Sequence, residues 1–167
     1  MVLVGLMGSG KSTIGFRLAQ SLDWAFCDTD REIERLTGAD IPWIFEKEGE
    51  QGFRLREQQV LQRALTEPGQ VISTGGGVVE WAENRTLLSQ SDAQVIYLFA
   101  PSSVLYKRVG QDPNRPLLAS GDARGTLQRL FERRDPSYRE VADLEIETHT
   151  GSPKGVVSRI LEFVGTA

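Results

Sequence analysis

The stretch GLMGSGKST, residues 5–13, places three glycines, a lysine and several hydroxyl side chains directly after the apolar run MVLV. Gly5, Gly10, Lys11 and Ser12 match the pattern G-x-x-x-x-G-K-[ST] of a phosphate loop, which lies between a strand and a helix. Its glycines let backbone N–H groups turn inward on phosphate oxygens, and the following helix N-terminus adds positive partial charge. The stretch therefore predicts that the chain binds a nucleoside triphosphate.

Different side chains of this loop are expected to bind different parts of the nucleotide and its metal ion. Lys11 can reach the outer phosphates, and the hydroxyl of Ser12 can bind Mg²⁺. We expect the rest of the loop to surround the phosphates, which adds Gly8, Ser9, Gly10 and Thr13.

Short apolar runs alternate with longer amphipathic segments along the whole chain. Five runs predict strands, four of them apolar enough to be buried on both faces: MVLV, WAFC, QVIST, AQVIYLF and DLEIET. Helical spacing of apolar residues predicts helices over 11–22 and 54–65. A capping-box pattern at Thr29 and Glu32 predicts the start of another helix. Ser152–Pro153 predicts the start of a fourth. This alternation predicts an α/β domain over residues 1–167, with a parallel sheet covered by helices on both faces.

Composition excludes several classes of protein. The 167 residues are 40% hydrophobic and 25% charged, which is typical of one globular domain. No apolar run approaches the roughly 20 residues of a membrane span, and we see no signal-peptide pattern. The net charge of −4 argues against a nucleic-acid partner, and the single cysteine, Cys27, fits a reducing cytosol. We therefore expect a cytoplasmic protein with no membrane association, working as a monomer.

Arginines are concentrated in the second half of this acidic chain. Between residues 107 and 139 there are eight basic residues, seven of them arginine, against four acids. This bias toward arginine indicates recognition of planar oxyanions. Within the same stretch, GQDPNRPLLASG at residues 110–121 contains two prolines, two glycines and Arg115, and it predicts a mobile lid over about 110–122.

Other triphosphate-binding classes fit the sequence less well than a small-molecule kinase does. The chain lacks the N/T-K-x-D and D-x-x-G motifs of a guanine-nucleotide switch, and a motor would need more chain for coupling. Ligands of such a sheet bind beyond the carboxyl ends of its strands. There the second strand ends in DTD, where Asp28 and Asp30 offer one carboxylate for Mg²⁺ and one to accept a proton from a substrate hydroxyl. Two acids stabilised by a helix N-terminus explain the same pattern.

Two further motifs each admit a functional and a purely structural interpretation. Three successive glycines, Gly75 to Gly77, allow a close approach of backbone to a ligand, or a sharp turn from strand to helix. Arg54 and Glu57 lie one helical turn apart. They form either an ordinary surface ion pair or an arginine fork that Glu57 holds toward an anionic substrate group.

Taken together, these motifs resemble the shikimate kinase family over essentially the whole chain. The resemblance rests on the order GLMGSGKST, DTD, GEQGFRLRE, STGGGVV, RPLL and RRDPSY. It implies a three-layer phosphate-loop kinase fold of the nucleoside-monophosphate-kinase type, with a five-stranded parallel sheet and a mobile lid. It also implies transfer of the γ-phosphate of ATP to the 3-hydroxyl of shikimate, with Mg²⁺ as the cofactor.

The resemblance further implies roles for individual residues. In the reaction itself, Lys11 and Arg115 would act on the phosphates and Asp30 on the substrate hydroxyl, while Ser12 and Asp28 would hold Mg²⁺. The substrate would be bound by Asp30, Arg54, Gly76, Gly77 and Arg134. Arg108 and Pro153 correspond to positions near adenine, and Arg115 to an arginine of the lid.

Two alternatives remain open at this point. Gluconate kinase shares the fold and the phosphate loop, although we would not expect the arginine, glycine and RPLL motifs there. A non-catalytic ATP-binding module would keep the phosphate loop but would have no need for Asp30 and the two arginines. ADP release measured with shikimate and with gluconate would separate the three hypotheses.

Overall fold

Five parallel strands form one sheet in the order β2-β3-β1-β4-β5. The computed structural model describes residues 1–109 and 122–165 of the chain. Its strands are β1 (Val2–Val4), β2 (Ala25–Asp28), β3 (Gln70–Ser73), β4 (Val95–Phe99) and β5 (Leu144–Glu147). The five strands and the parallel sheet predicted from the sequence are confirmed.

Helices fill the connections between these strands, and one more helix follows the last strand. They are α1 (Lys11–Leu22), α2 (Thr29–Thr37), α3 (Ile41–Thr66), α4 (Ala82–Gln90), α5 (Ser102–Val109), α6 (Ala123–Val141) and α7 (Pro153–Phe163). A short 3₁₀ helix, Val78–Glu80, follows the glycine turn after β3. Gly49 interrupts α3 with a positive φ of 70°, so the predicted helix over 54–65 belongs to its second part.

The sheet separates two hydrophobic layers, as alternation along β1 requires. Val2 and Val4 point to one face and Leu3 to the other. The first face packs on α3 to α6, through Leu61, Leu88, Leu105, Leu127 and Tyr138. The second packs on α1 and α7, through Ile14, Leu18, Val157 and Ile160. The predicted arrangement of helices on both faces is therefore confirmed.

Three details differ from the sequence-based expectations or lie beyond the structure. Asp28, not Thr29, is the N-cap of α2, because its side chain accepts a hydrogen bond from the backbone of Arg31. β2 is partly exposed, with Ala25 open to solvent, because it forms an edge of the sheet. The predicted lid, with Arg115, falls on residues 110–121, outside the described ranges. No helix among 1–109 and 122–165 is both long and apolar enough to cross a membrane.

Replacing Leu18 by alanine tests the layer that supports the phosphate loop. Leu18 lies on α1, the helix that follows the loop, and it is completely buried. Its truncation leaves a cavity between α1 and the sheet, so we expect the free energy of unfolding to fall by about 2–5 kcal/mol. Denaturant unfolding measures this. The control Gln20→Ala, on the exposed side of the same helix, should change stability by less than about 0.5 kcal/mol, and equal losses would contradict the packing described.

Candidate active site

The phosphate loop joins β1 to α1 by a path that requires glycine. Gly5 has a φ of 143°, and a Cβ added there would lie 2.7 Å from the backbone oxygen of Leu98 on β4. Gly10, the N-cap of α1, is also left-handed, with a φ of 99°. The N-terminus of α1 therefore opens directly onto the loop, where its free N–H groups can meet an anion.

Lys11 lies across this loop rather than away from it. Its ammonium donates hydrogen bonds to the backbone oxygens of Gly5, at 2.8 Å, and Leu6, at 3.1 Å. The side chain is nearly buried, which keeps the positive charge inside the concave side of the loop. The structure thus places the predicted phosphate-binding lysine at the loop, and its contact with phosphate stays a prediction.

Oxygen donors from two strands and one helix meet beside the loop. The hydroxyl of Ser12 donates to Oδ2 of Asp28 at 2.9 Å, and Oγ of Ser73 lies 3.4 Å from Oγ of Ser12. A hydroxyl beside a carboxylate is a fitting set for Mg²⁺, which prefers oxygen ligands and keeps water and phosphate oxygens in its remaining positions. Ser12 and Asp28, the predicted metal residues, are brought together.

Asp30 and Glu57 approach each other at the glycine turn that follows β3. A Cβ added at Gly75 would lie 2.7 Å from Oδ1 of Asp30 and 2.8 Å from Oε1 of Glu57. The backbone N–H of Gly75 donates to the hydroxyl of Thr29 at 3.1 Å, which draws the turn toward the start of α2. Glycine at this position therefore allows two carboxylates to come close together at the edge of the sheet.

Arg54 and Glu57 form a buried ion pair on α3. The distance from Nη1 of Arg54 to Oε2 of Glu57 is 2.7 Å, and the side chains are 6% and 1% exposed. Burial raises the pKa of Glu57, the positive charge of Arg54 opposes part of that rise, and the negative charge of Asp30 adds to it. The hypothesis that Glu57 holds the guanidinium of Arg54 is the one that the geometry supports.

Arg134 from α6 reaches the same place as Arg54. Nη2 of Arg134 donates to Oε2 of Glu80, and Nη2 of Arg54 lies 3.2 Å from that same oxygen. Arg134 is 4% exposed. Within the described ranges, Nε of Arg54 and Nε of Arg134 are buried without a hydrogen-bond partner. Two guanidinium groups therefore converge on a single carboxylate oxygen and retain capacity to donate.

The backbone of the glycine turn packs closely against the guanidinium groups of these two arginines. A Cβ at Gly77 would collide with the guanidinium of Arg54, and Nη1 of Arg134 lies 3.8 Å from the Cβ position of Gly76. Burial raises the pKa of Tyr138, so its phenol stays protonated and donates a hydrogen bond to the backbone oxygen of Gly76. The glycine run makes the turn from β3 to the 3₁₀ helix, and the close approach of its backbone to a ligand stays a prediction.

Arg108 links the phosphate loop to the segment after β5. Nη1 donates to the backbone oxygen of Gly8 at 2.9 Å, and Nη2 donates to that of Thr148 at 2.7 Å. Pro153 is the first residue of α7, after the N-cap Ser152, as the sequence predicts. Arg108 thus lies at the phosphate loop, and Pro153 lies at the start of α7, five residues after Thr148.

Ser73, Glu80 and Tyr138 are site residues that the sequence did not single out. Ser73 has a recognisable signal, since it is a hydroxyl residue at the carboxyl end of a buried strand. Glu80 and Tyr138 have none, because they reach their partners only when α6 packs against the 3₁₀ helix.

The family model described as "Shikimate kinase" matches residues 7–165 of the chain. A shikimate kinase of Pseudomonas entomophila (strain L48) is 50% identical over 162 residues, which cover 97% of this chain and 94% of that protein.

Solved structures agree with this match. A shikimate kinase from Acinetobacter baumannii in complex with shikimate superposes with a TM-score of 0.94 at 46% identity, covering 99% of this chain and 92% of that one. A gluconokinase from Sinorhizobium meliloti 1021 superposes with a TM-score of 0.57 at 15% identity, covering 98% and 94%. That second likeness extends to the fold alone.

Glu57→Gln tests the burial of the carboxylate beside Arg54 while keeping the shape of the side chain. Because the folded protein raises the pKa of Glu57, the folded state binds the extra proton more tightly than the unfolded state does. The free energy of unfolding therefore falls as pH rises from the unfolded value of about 4.3 through the higher folded value. We expect wild-type stability relative to Glu57→Gln to decrease across that window, measured by denaturant unfolding at a series of pH values.

Glu48→Gln is the matched control on the same helix. A hydrogen bond from Arg56 lowers the pKa of Glu48, so its contribution is present above the unfolded pKa and lost as pH falls. The stability of the wild type relative to Glu48→Gln should therefore rise with pH. The rise should be small, since the Glu48–Arg56 pair is exposed to solvent. The same sign for both variants would contradict the pKa shift assigned to Glu57.

Proposed function

The chain belongs to the shikimate kinase family and transfers the γ-phosphate of ATP to the 3-hydroxyl of shikimate, and from this premise we propose which of its residues perform each part of the reaction. One observation supports the assignment above all others. Arg54 and Arg134, from two different helices, converge on one carboxylate oxygen beside the turn that Asp30 also borders. A carboxylate-bearing substrate gripped there has its hydroxyl groups near Asp30 and the phosphate loop.

Nucleotide binding falls to the phosphate loop and its neighbours. Backbone N–H groups of the loop and of the first turn of α1 donate to phosphate oxygens. Lys11 exchanges its hydrogen bonds to the carbonyls of Gly5 and Leu6 for bonds to the outer phosphates, where it stabilises charge that develops during transfer. Arg108 and Pro153 lie toward the adenine end. Arg115, in the proposed lid over 110–122, is assigned to the phosphates on the sequence resemblance.

Ser12 and Asp28 are the residues that would hold Mg²⁺. The hydroxyl and carboxylate are already 2.9 Å apart, and Ser73 borders them. When bound there, the ion supplies positive charge to neighbouring phosphate oxygens.

Asp30 is placed to accept the proton of the substrate hydroxyl as the phosphoryl group is transferred. It lies on the first turn of α2, one residue beyond Thr29, whose hydroxyl is fixed by Gly75. The carboxylate of Glu57 approaches the same glycine, Gly75. Positioned acids and bases of this kind accelerate proton transfer.

Arg54 and Arg134 bind the carboxylate of shikimate, and Gly76 and Gly77 let its ring approach the backbone. A planar guanidinium donates two parallel hydrogen bonds to a carboxylate, a geometry that an ammonium group does not supply. The buried Nε atoms of both arginines remain available for such bonds among the described residues.

The remaining features of the proposal concern the setting in which the enzyme works. We propose a monomeric, single-domain enzyme in the cytoplasm, without a nucleic-acid or membrane partner. The acidic net charge of −4 supports the lack of a nucleic-acid partner, and the single cysteine supports a reducing compartment.

The reaction is tested by coupled measurement of ADP release with shikimate and, separately, with gluconate. We expect turnover with shikimate and only background release with gluconate. The same release with both acids, or with neither, would contradict the substrate assignment.

Asp30→Asn tests the assignment of the base. Asparagine keeps the size of the side chain but does not accept the proton, so we expect kcat to fall by about 10²- to 10⁴-fold. The Kd of shikimate should change by only a few-fold, measured by calorimetry. A loss of kcat below about tenfold would identify Asp30 as a helix-start acid and place the base elsewhere.

Asp28→Asn separates the two roles of Asp28. Asparagine caps a helix as well as aspartate does, so stability should change little, whereas the charge that attracts Mg²⁺ is lost. We expect the Mg²⁺ concentration for half-maximal activity to rise while the thermal midpoint stays close to that of the wild type. An unchanged Mg²⁺ requirement would contradict the metal assignment. The comparison variant Asp28→Ala loses the cap as well and should also lower the thermal midpoint.

A further inference from the structure

Glu80 occupies the position between the two arginines that the substrate carboxylate is proposed to take. Its Oε2 accepts from Arg134 and lies 3.2 Å from Nη2 of Arg54. Both arginine side chains are almost fully buried, and Nη2 of Arg54 also has Oε1 of the exposed Glu50 at 3.4 Å. The carboxylate at the end of the 3₁₀ helix is therefore an internal ligand of the substrate-binding pair.

The charges at this point set a condition for binding an acid. Arg54 is paired with Glu57 through Nη1 and with the exposed Glu50 near Nη2, and Glu80 supplies a negative charge that Arg54 and Arg134 share. A second carboxylate that arrived while Glu80 stayed would face like charge at hydrogen-bond distance, which is unfavourable in a site with little solvent. An acidic substrate can replace Glu80 as the shared partner of Arg54 and Arg134 only if Glu80 moves away.

Arg133 provides a place for the displaced side chain. Oε1 of Glu80 is paired with Nη2 of Arg133, whose side chain is 63% exposed, whereas Arg134 is 4% exposed. Rotation of Glu80 toward Arg133 keeps one ion pair and carries the carboxylate from a partly buried position, 17% exposed, toward solvent. The movement therefore loses less than the breaking of an isolated buried pair would.

We propose that Glu80 is a specificity-determining residue that competes with the substrate carboxylate for Arg54 and Arg134. The inference rests on the proposed role of these two arginines. In its inward position Glu80 neutralises them and reduces the fraction of enzyme that is ready to bind, which weakens the apparent affinity for shikimate by that fraction. Substrates with a full negative charge displace it, and neutral analogues that match shikimate in shape do not.

Glu80→Gln tests this competition, with calorimetric titration of shikimate and of its uncharged amide, shikimamide. Glutamine keeps the size of the side chain and removes its charge. We expect shikimate to bind about tenfold more tightly than to the wild type, which corresponds to one charge-assisted hydrogen bond that no longer has to be replaced. Binding of the amide should change much less, so the preference for the acid over the amide should increase.

Glu83→Gln is the matched control, because it makes the same charge change at an exposed position on the first turn of α4. It should leave both affinities at their wild-type values. Thermal unfolding of each variant establishes that it is folded before titration.

Two results would overturn the inference in distinguishable ways. Equal or weaker binding of shikimate by Glu80→Gln, in an enzyme whose wild type prefers the acid to the amide, would make Glu80 a support for the arginines and leave their role intact. Equal binding of acid and amide by the wild type would instead remove the carboxylate-reading role of Arg54 and Arg134, and the inference with it.

Discussion

The parallel direction of the strands is the constraint on which the site depends. Because the strands run the same way, the carboxyl ends of β1, β2 and β3 meet at one edge of the sheet. The phosphate loop follows the first, Asp28 ends the second and Ser73 ends the third. Residues far apart in the chain are thereby brought within hydrogen-bond distance without any unusual backbone in the strands. Beside β1, positive φ values fall on glycines of the phosphate loop, Gly5, Gly8 and Gly10.

A second level of organisation is the burial of charge behind the glycine turn. Removing a guanidinium and a carboxylate from water is costly, and a buried pair such as Arg54 and Glu57 is weak evidence for added stability. The contribution of this ion pair is to fix the orientation of the Arg54 guanidinium. Glu57 holds one side of Arg54, Gly77 leaves the guanidinium room, and Tyr138 ties the turn to α6. The arrangement holds the guanidinium of Arg54 in a defined position, so little reorganisation is needed for the substrate binding that we propose.

Local patterns predicted most of the fold and several of the residues that meet at the candidate site. The five strands, the phosphate loop and the pairing of Arg54 with Glu57 follow from spacing within a few residues of each other. The prediction that Thr29 caps α2 was wrong. The hydroxyl of Thr29 accepts a hydrogen bond from Gly75, and Asp28 accepts the hydrogen bond from the helix backbone instead. Glu80 was missed because its partners come from helices distant in sequence. The packing of helices decides which charged side chains meet at a site, and the spacing of residues in one sequence does not predict that packing.

The central position of β1 has a consequence for biosynthesis. β1 pairs with β3 and β4, whose registers place Val2 beside Ile72 and Val95. A ribosome makes β1 long before either partner, so the strand that carries the phosphate loop must wait unpaired for most of the synthesis. Such long-range pairing slows folding and leaves apolar surface exposed in the meantime. The nascent chain therefore acquires its nucleotide site late, once the strand after α4 has left the exit tunnel.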